Sequence, residues 1–145
     1  MEILAKYIPV AKDKPDEASK QEKQQDAPKE QPEYFDAELL SLIHTVCVGE
    51  QFEDIATQDF YANMNLYSCK KELKIKAREK IRVCYLIFLM SERLPKQDRD
   101  KWKNIILKQL DIDENYYKSK YKEPVSDFPS DSNQKFAKEM YVIFR

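Results

Sequence analysis

A single glycine, Gly49, serves a chain of 145 residues. Average proteins carry roughly 7 % glycine, because it enters left-handed backbone conformations at the lowest steric cost. Two-residue hairpin turns depend on that freedom. So do the glycine-rich loops that cradle phosphates and dinucleotides. A chain so poor in glycine is steered towards helices joined by short connections, and P-loop and dinucleotide chemistry is excluded. The expected fold is all-α, a small bundle of four or five helices.

The first quarter of the chain divides by composition. Residues 1–10, "MEILAKYIPV", are short and partly apolar. They lack the basic start and long apolar run of a secretory signal. Residues 11–33 hold three prolines and many Lys, Glu and Gln, with no aromatic, Leu, Ile or Val. Such a stretch cannot bury enough apolar surface to offset chain entropy, so it reads as a flexible, disordered linker. Ile3, Leu4, Tyr7 and Ile8 then form an apolar end on a tether, the arrangement expected of a partner-binding segment.

The folded part is expected over residues 34–122. Asp36 is placed to cap a first helix, since its carboxylate can accept from free first-turn amides. Leu39, Leu40, Ile43, Val46 and Cys47 follow at helical spacing, and Gly49 sits where a helix stops. A second helix is predicted over about 50–63, with Phe52, Ile55, Ala56 and Phe60 inward. A third is predicted from about Ser68 to Arg93, on the stripe Leu73, Ala77, Ile81, Cys84 and Phe88. Beyond Arg82 it is apolar all round, which marks the centre of the core. Pro95 closes it. A fourth helix carries Trp102, Ile105, Ile106 and Leu110, with Asp98 as its cap, and a fifth over 113–122 is capped by Asp113. Residues 123–133 read as an irregular loop. The final stretch to Arg145 fits a helix, but Met140, Val142 and Phe144 alternate and also allow a strand paired with the N-terminal piece or a partner.

Charge is segregated. Residues 36–66 carry six acids and no Lys or Arg, whereas residues 67–93 carry eight bases and three acids. On the helical reading, Lys70, Lys74 and Arg78 fall on one line at i, i+4, i+8, a row able to follow a phosphate backbone. The stretch "ENYYKSKYKEP" adds Tyr116, Lys118 and Lys120, the mixture of rings and cations that stacks on bases. Helical spacing instead favours Tyr117 and Tyr121 packing inward as a pair, with Tyr116 left outside.

No catalytic or metal-ligating constellation emerges. His44 and Cys47 share a helix, but both flank an apolar stripe without an orienting acid, unlike an activated thiolate. His44, Cys47, Cys69 and Cys84 lack the paired spacing of a zinc site. Glu50, Glu53 and Asp54 lack the glycine turn of a calcium loop. No cofactor is implied. Three cysteines at irregular spacing read as reduced thiols of a soluble, cytoplasmic protein, and the apolar run 83–90 is well short of the roughly 18 residues that cross a bilayer. These observations point to a non-catalytic intracellular protein-interaction or adaptor module. The alternative is a nucleic-acid-binding accessory protein using the basic face of residues 70–82 and 96–122.

Overall fold

The structure is a computed structural model, and it describes residues 32–145. Six α-helices follow one another: α1 (Ala37–Cys47), α2 (Thr57–Met64), α3 (Lys80–Glu92), α4 (Lys96–Gln109), α5 (Glu114–Lys120) and α6 (Asp131–Phe144). A 3-10 turn at Glu123–Val125 precedes α6. The class is all-α as expected, but the helices among the described residues number six rather than four or five. Ile3, Leu4, Tyr7 and Ile8, and the linker up to residue 31, lie outside the described residues.

Local signals set several of these boundaries. Asp36 caps α1 through the Leu39 amide at 2.8 Å, and Asp113 caps α5 through the amides of Asn115 and Tyr116. Gly49 takes a φ of +92° just beyond α1. Elsewhere ordinary residues do what glycine usually does: Leu66, Arg78 and Asp111 also have positive φ. Leu66 and Asp111 terminate α2 and α4 in the same way. The amides of Leu66 and Tyr67 reach back to Asn63 and Ala62, and those of Asp111 and Ile112 to Lys108 and Leu107. This pair of bonds satisfies the last helical carbonyls.

The third helix begins at Lys80, twelve residues later than the apolar stripe suggests. Residues 65–79 instead run as an irregular segment fixed by non-local bonds. The Glu53 amide donates to the Lys74 carbonyl at 2.9 Å, and the Lys76 amide to the Gln51 carbonyl at 2.9 Å. Asn63 holds the same segment by donating to the Lys71 carbonyl and accepting from the Leu73 amide. Ala77, assigned to the buried stripe by its spacing, is exposed. The second helix is likewise shorter than expected, and Phe52 and Ile55 are buried from the loop before it. Asp98 lies within the first turn of α4, whose N-cap is Pro95.

The C-terminal segment is helix, and strand pairing there is ruled out by its 14-residue span. Among the described residues, β-pairing is limited to isolated bridges such as Phe52 with Ile75. The core does not end at residue 122 either, because Phe136 and Met140 of α6 are fully buried. They join Val83 to Ile87 and Met90 of α3, Ile43 and Cys47 of α1, Phe60 and Met64 of α2, and Trp102 and Ile106 of α4.

Three contacts fix how α6 lies. Arg82 bonds Asn133, the Tyr85 and Phe136 rings meet edge to face with centroids 6.3 Å apart, and Arg93 sits over the Phe144 ring at 5.3 Å. Each pair has the same sequence separation, so α6 runs parallel to α3 in constant register. Its other flank meets α1. Where the chain enters the domain, buried Asn65 accepts from the amides of Tyr34 and Phe35 and donates to the Phe35 carbonyl. No described helix is long and apolar enough to cross a membrane.

Candidate interaction surface

Helix α6 starts from a Ser130 cap, whose hydroxyl accepts from the Asn133 amide at 3.2 Å. Its middle is amphipathic in the usual way, with Phe136 and Met140 inward and Lys135 and Lys138 in water. The last turn differs. Met140, Tyr141, Val142, Ile143 and Phe144 are apolar or aromatic on every side. Met140 fills the core, Ile143 and Phe144 are half-buried, and Tyr141 and Val142 face solvent at 69 % and 63 % exposure. A turn that is apolar all round is normally enclosed. Here about half of it is open.

On neighbouring α1, Leu42 is 50 % exposed. Between α1 and α2 an open cleft of about 300 Å³ is lined by Ala37, Leu40, Thr57, Gln58 and Tyr61. The exposed residues of α6 beyond Ser132 are neutral or basic: Gln134, Lys135, Lys138, Tyr141, Val142 and Arg145. The exposed charge on α1 is acidic, from the cap Asp36 and from Glu38.

The residues singled out for nucleic acid are arranged differently from the sequence expectation. Lys70, Lys74 and Arg78 are exposed, yet no helix aligns them, and the expected i, i+4, i+8 row does not exist. Arg78 has a φ of +69° and its carbonyl accepts from Arg82. Lys74 lies 3.9 Å from Glu72, and Lys118 pairs with Glu114 at 3.4 Å. Lys120 is half-exposed near the end of α5.

The tyrosines of α5 pack. Tyr117 is buried, stacking on Tyr121 with centroids 5.1 Å apart, and Tyr121 continues against Phe88. Lys103 and Lys122 lie over the two rings. Tyr116, expected outside, is half-buried instead, with the Lys80 ammonium over its ring at 5.4 Å. Desolvation, reinforced by Cys84 and Glu123, pushes its hydroxyl pKa upwards. Tyr117, buried and stacked on Tyr121, offers no free aromatic face of the kind base stacking needs.

Burial favours the protonated form of the Cys47 and Cys84 thiols. Cys47 is fully buried, and burial, then the Glu139 and Glu79 carboxylates, raise its pKa far above the thiol range. Burial raises Cys84 to about 11, against an opposing pull from Lys80. The Cys69 thiol lies 3.4 Å from both an Asp59 carboxylate oxygen and the Lys71 carbonyl. His44 does not meet Cys47 as an acid–base pair. Its Nε2 lies 2.7 Å from the Ile55 carbonyl, an atom that can only accept, so Nε2 carries the proton. Phe60 packs edge-on against the ring. Among the described residues, no three of His, Cys, Asp and Glu gather as metal ligands.

No protein-family model, curated protein or solved structure matches this chain. The α6 surface went unread in the sequence because Met140, Val142 and Phe144 alternate like a strand. Five consecutive apolar residues at the end of a capped helix were the signal that could have found it.

Proposed function

We propose that this protein is a non-catalytic protein-interaction module acting inside the cell, and that it engages its partner through the last turn of α6. The observation that carries this reading is the exposure of Tyr141 and Val142 on a turn whose every residue is apolar. Leaving both in water forfeits the stabilisation that burial gives, about 1.5–3 kcal/mol for a large apolar side chain. Exposed apolar patches with polar rims are a common mark of interaction sites. Three free thiols are compatible with a reducing compartment. Ile3, Leu4, Tyr7 and Ile8 supply a second contact in this proposal.

The test is capture of partners from the native cell, with and without nuclease, using the full chain and its Tyr141→Lys/Val142→Lys variant. The expected result is a nuclease-resistant protein partner that the variant loses while its melting temperature holds. Deleting residues 1–33 separately reports on the terminal contact. Equal capture by both full-length forms overturns the α6 assignment.

A second reading is nucleic-acid binding, favoured by six cations that are all exposed between residues 70 and 80: Lys70, Lys71, Lys74, Lys76, Arg78 and Lys80. It requires salt-sensitive binding to DNA or RNA, lost when Lys70, Lys74 and Arg78 become Glu. Absence of such binding by the unmodified protein at low salt excludes it.

A further inference from the structure

We infer that the partner seated on the α6 turn is a second copy of this chain, joined about a two-fold axis that sets α1 of each copy across α6 of the other. The inference rests on the interaction reading above and goes further by naming the occupant. Its basis is that the two complementary surfaces occur on one molecule. Helices α1 and α6 pack against each other, so one molecule carries both surfaces. The α6 face offers Tyr141 and Val142 within a basic rim of Lys135, Lys138 and Arg145, with Glu139 half-buried beside them. The α1 face offers Leu42, the acids Asp36 and Glu38, and no Lys or Arg. A two-fold rotation of unlike surfaces on one molecule brings each onto its complement twice, which is the self-complementary logic of isologous dimers.

Shape agrees with charge. Tyr141 projects from one surface, and the cleft lined by Ala37, Leu40 and Tyr61 borders the other. A ring entering that cleft would be a buried aromatic anchor of the kind that dominates interface energetics. Cationic and acidic rims around it would fix orientation more than they add affinity.

The experiment is sedimentation equilibrium of the full chain at high micromolar concentration, in low and high salt. The expected result is a species of twice 17.3 kDa that weakens as salt rises. Two charge variants test the pairing: Lys138→Glu/Arg145→Glu, whose two faces are then both acidic, and Glu38→Lys/Ser41→Lys, whose two faces are then both basic. Each alone should self-associate more weakly by about tenfold or more, from like-charge contact. Mixed in equal amounts, they should restore the dimer, because every contact again joins unlike charges. A helical spectrum and melting transition close to the parent's confirm that both variants fold.

A protein that stays monomeric at these concentrations overturns the inference, as does a mixture that stays monomeric while each variant folds. If the chain is monomeric but Tyr141→Lys/Val142→Lys still loses a nuclease-resistant partner, self-pairing falls and the interaction reading stands. If that variant changes neither mass nor capture, both fall.

Discussion

The guanidinium of Arg82 donates to the Asn133 side-chain oxygen at 2.8 Å, across 51 positions of sequence. The same guanidinium bonds Glu79 at 2.6 Å, and Glu79 in turn accepts from the Gln51 side-chain amide at 3.1 Å. One arginine therefore joins the starts of α3 and α6 to the loop after α1. Its side chain and that of Glu79 are only 13 % and 20 % exposed. Arg82→Met should cost about 2–3 kcal/mol, because it leaves the buried Asn133 oxygen without a donor and the Glu79 carboxylate without its cation. Gln51 gives the contrast. Its carboxamide oxygen is buried without a partner, so Gln51→Met should change stability by less than about 1 kcal/mol. Equal losses in chemical denaturation would refute this division of roles.

Trp102 is fully buried, and its indole N–H donates to the Met64 carbonyl at 2.8 Å. Phe35 packs edge-on against the same ring at 4.9 Å. Trp102→Ala should destabilise by about 3–5 kcal/mol, through the cavity and the abandoned carbonyl. Phe88, which spacing placed in the core stripe, is only half-buried against Tyr121. Phe88→Ala should therefore cost about 2–3 kcal/mol, less than the roughly 3–5 kcal/mol of a fully enclosed ring. Urea melts of the two variants should rank in that order.

Alkaline pH should loosen the fold earlier than its charge balance suggests. An unfolded thiol releases its proton near its ordinary value of 9.0, whereas folded Cys84 keeps its proton up to about 11. Between those values only the unfolded state gains from ionising. This contribution is therefore complete below pH 9 and is lost as pH rises towards 11. Cys47 and the buried Tyr117 hydroxyl, both raised chiefly by desolvation, act in the same direction. Stability measured from pH 8 to 11 should fall less steeply for Cys84→Ala than for the parent, relative to each protein's own pH 8 value. Equal slopes would remove Cys84 from the account.

Asp111 is exposed and holds a φ of +59° where α4 ends. Glycine suits that conformation, so Asp111→Gly should raise stability by about 0.5–1 kcal/mol. Gly49→Ala should do the reverse. The nearest atom to an added methyl is an Asp54 carboxylate oxygen at 3.8 Å, leaving room for the side chain. The expected loss of about 1–2 kcal/mol comes from the backbone alone. Thermal melts that move the two proteins in one direction would refute this.

Much of the helical plan could be read from local chemistry. The carboxylates of Asp36 and Asp113 act within a few residues of themselves, and their caps follow from composition and position. The apolar second half of α3 announced the core because no face of it was left for water. The failures arose where distant residues decide. Lys, Glu and Leu at helical spacing gave 68–79 every local reason to coil, yet Asn63, Gln51 and Glu53 hold it open through bonds to its backbone. A stripe of apolar residues cannot reveal a competing carbonyl 25 positions away, that of Gln51. At the C-terminus the ambiguity lay in Met140, Val142 and Phe144, whose alternation matches a strand while the segment is helical from the Ser130 cap onwards. The candidate surface, Tyr141 and Val142, was hidden by that same ambiguity.

Parallel pairing of α3 with α6 also constrains the order of folding during synthesis. A nascent chain presents the apolar stretch 83–90 well before the residues that cover it have been made. Closing a loop of this length costs only a few kcal/mol of chain entropy, but such non-local contacts slow folding. Until Phe136 and Met140 arrive, the side of α3 they cover is exposed to other chains. That interval is when premature association is most damaging. A ribosome paused between α5 and α6 should hold a protease-sensitive chain, and release of the final helix should abolish that sensitivity.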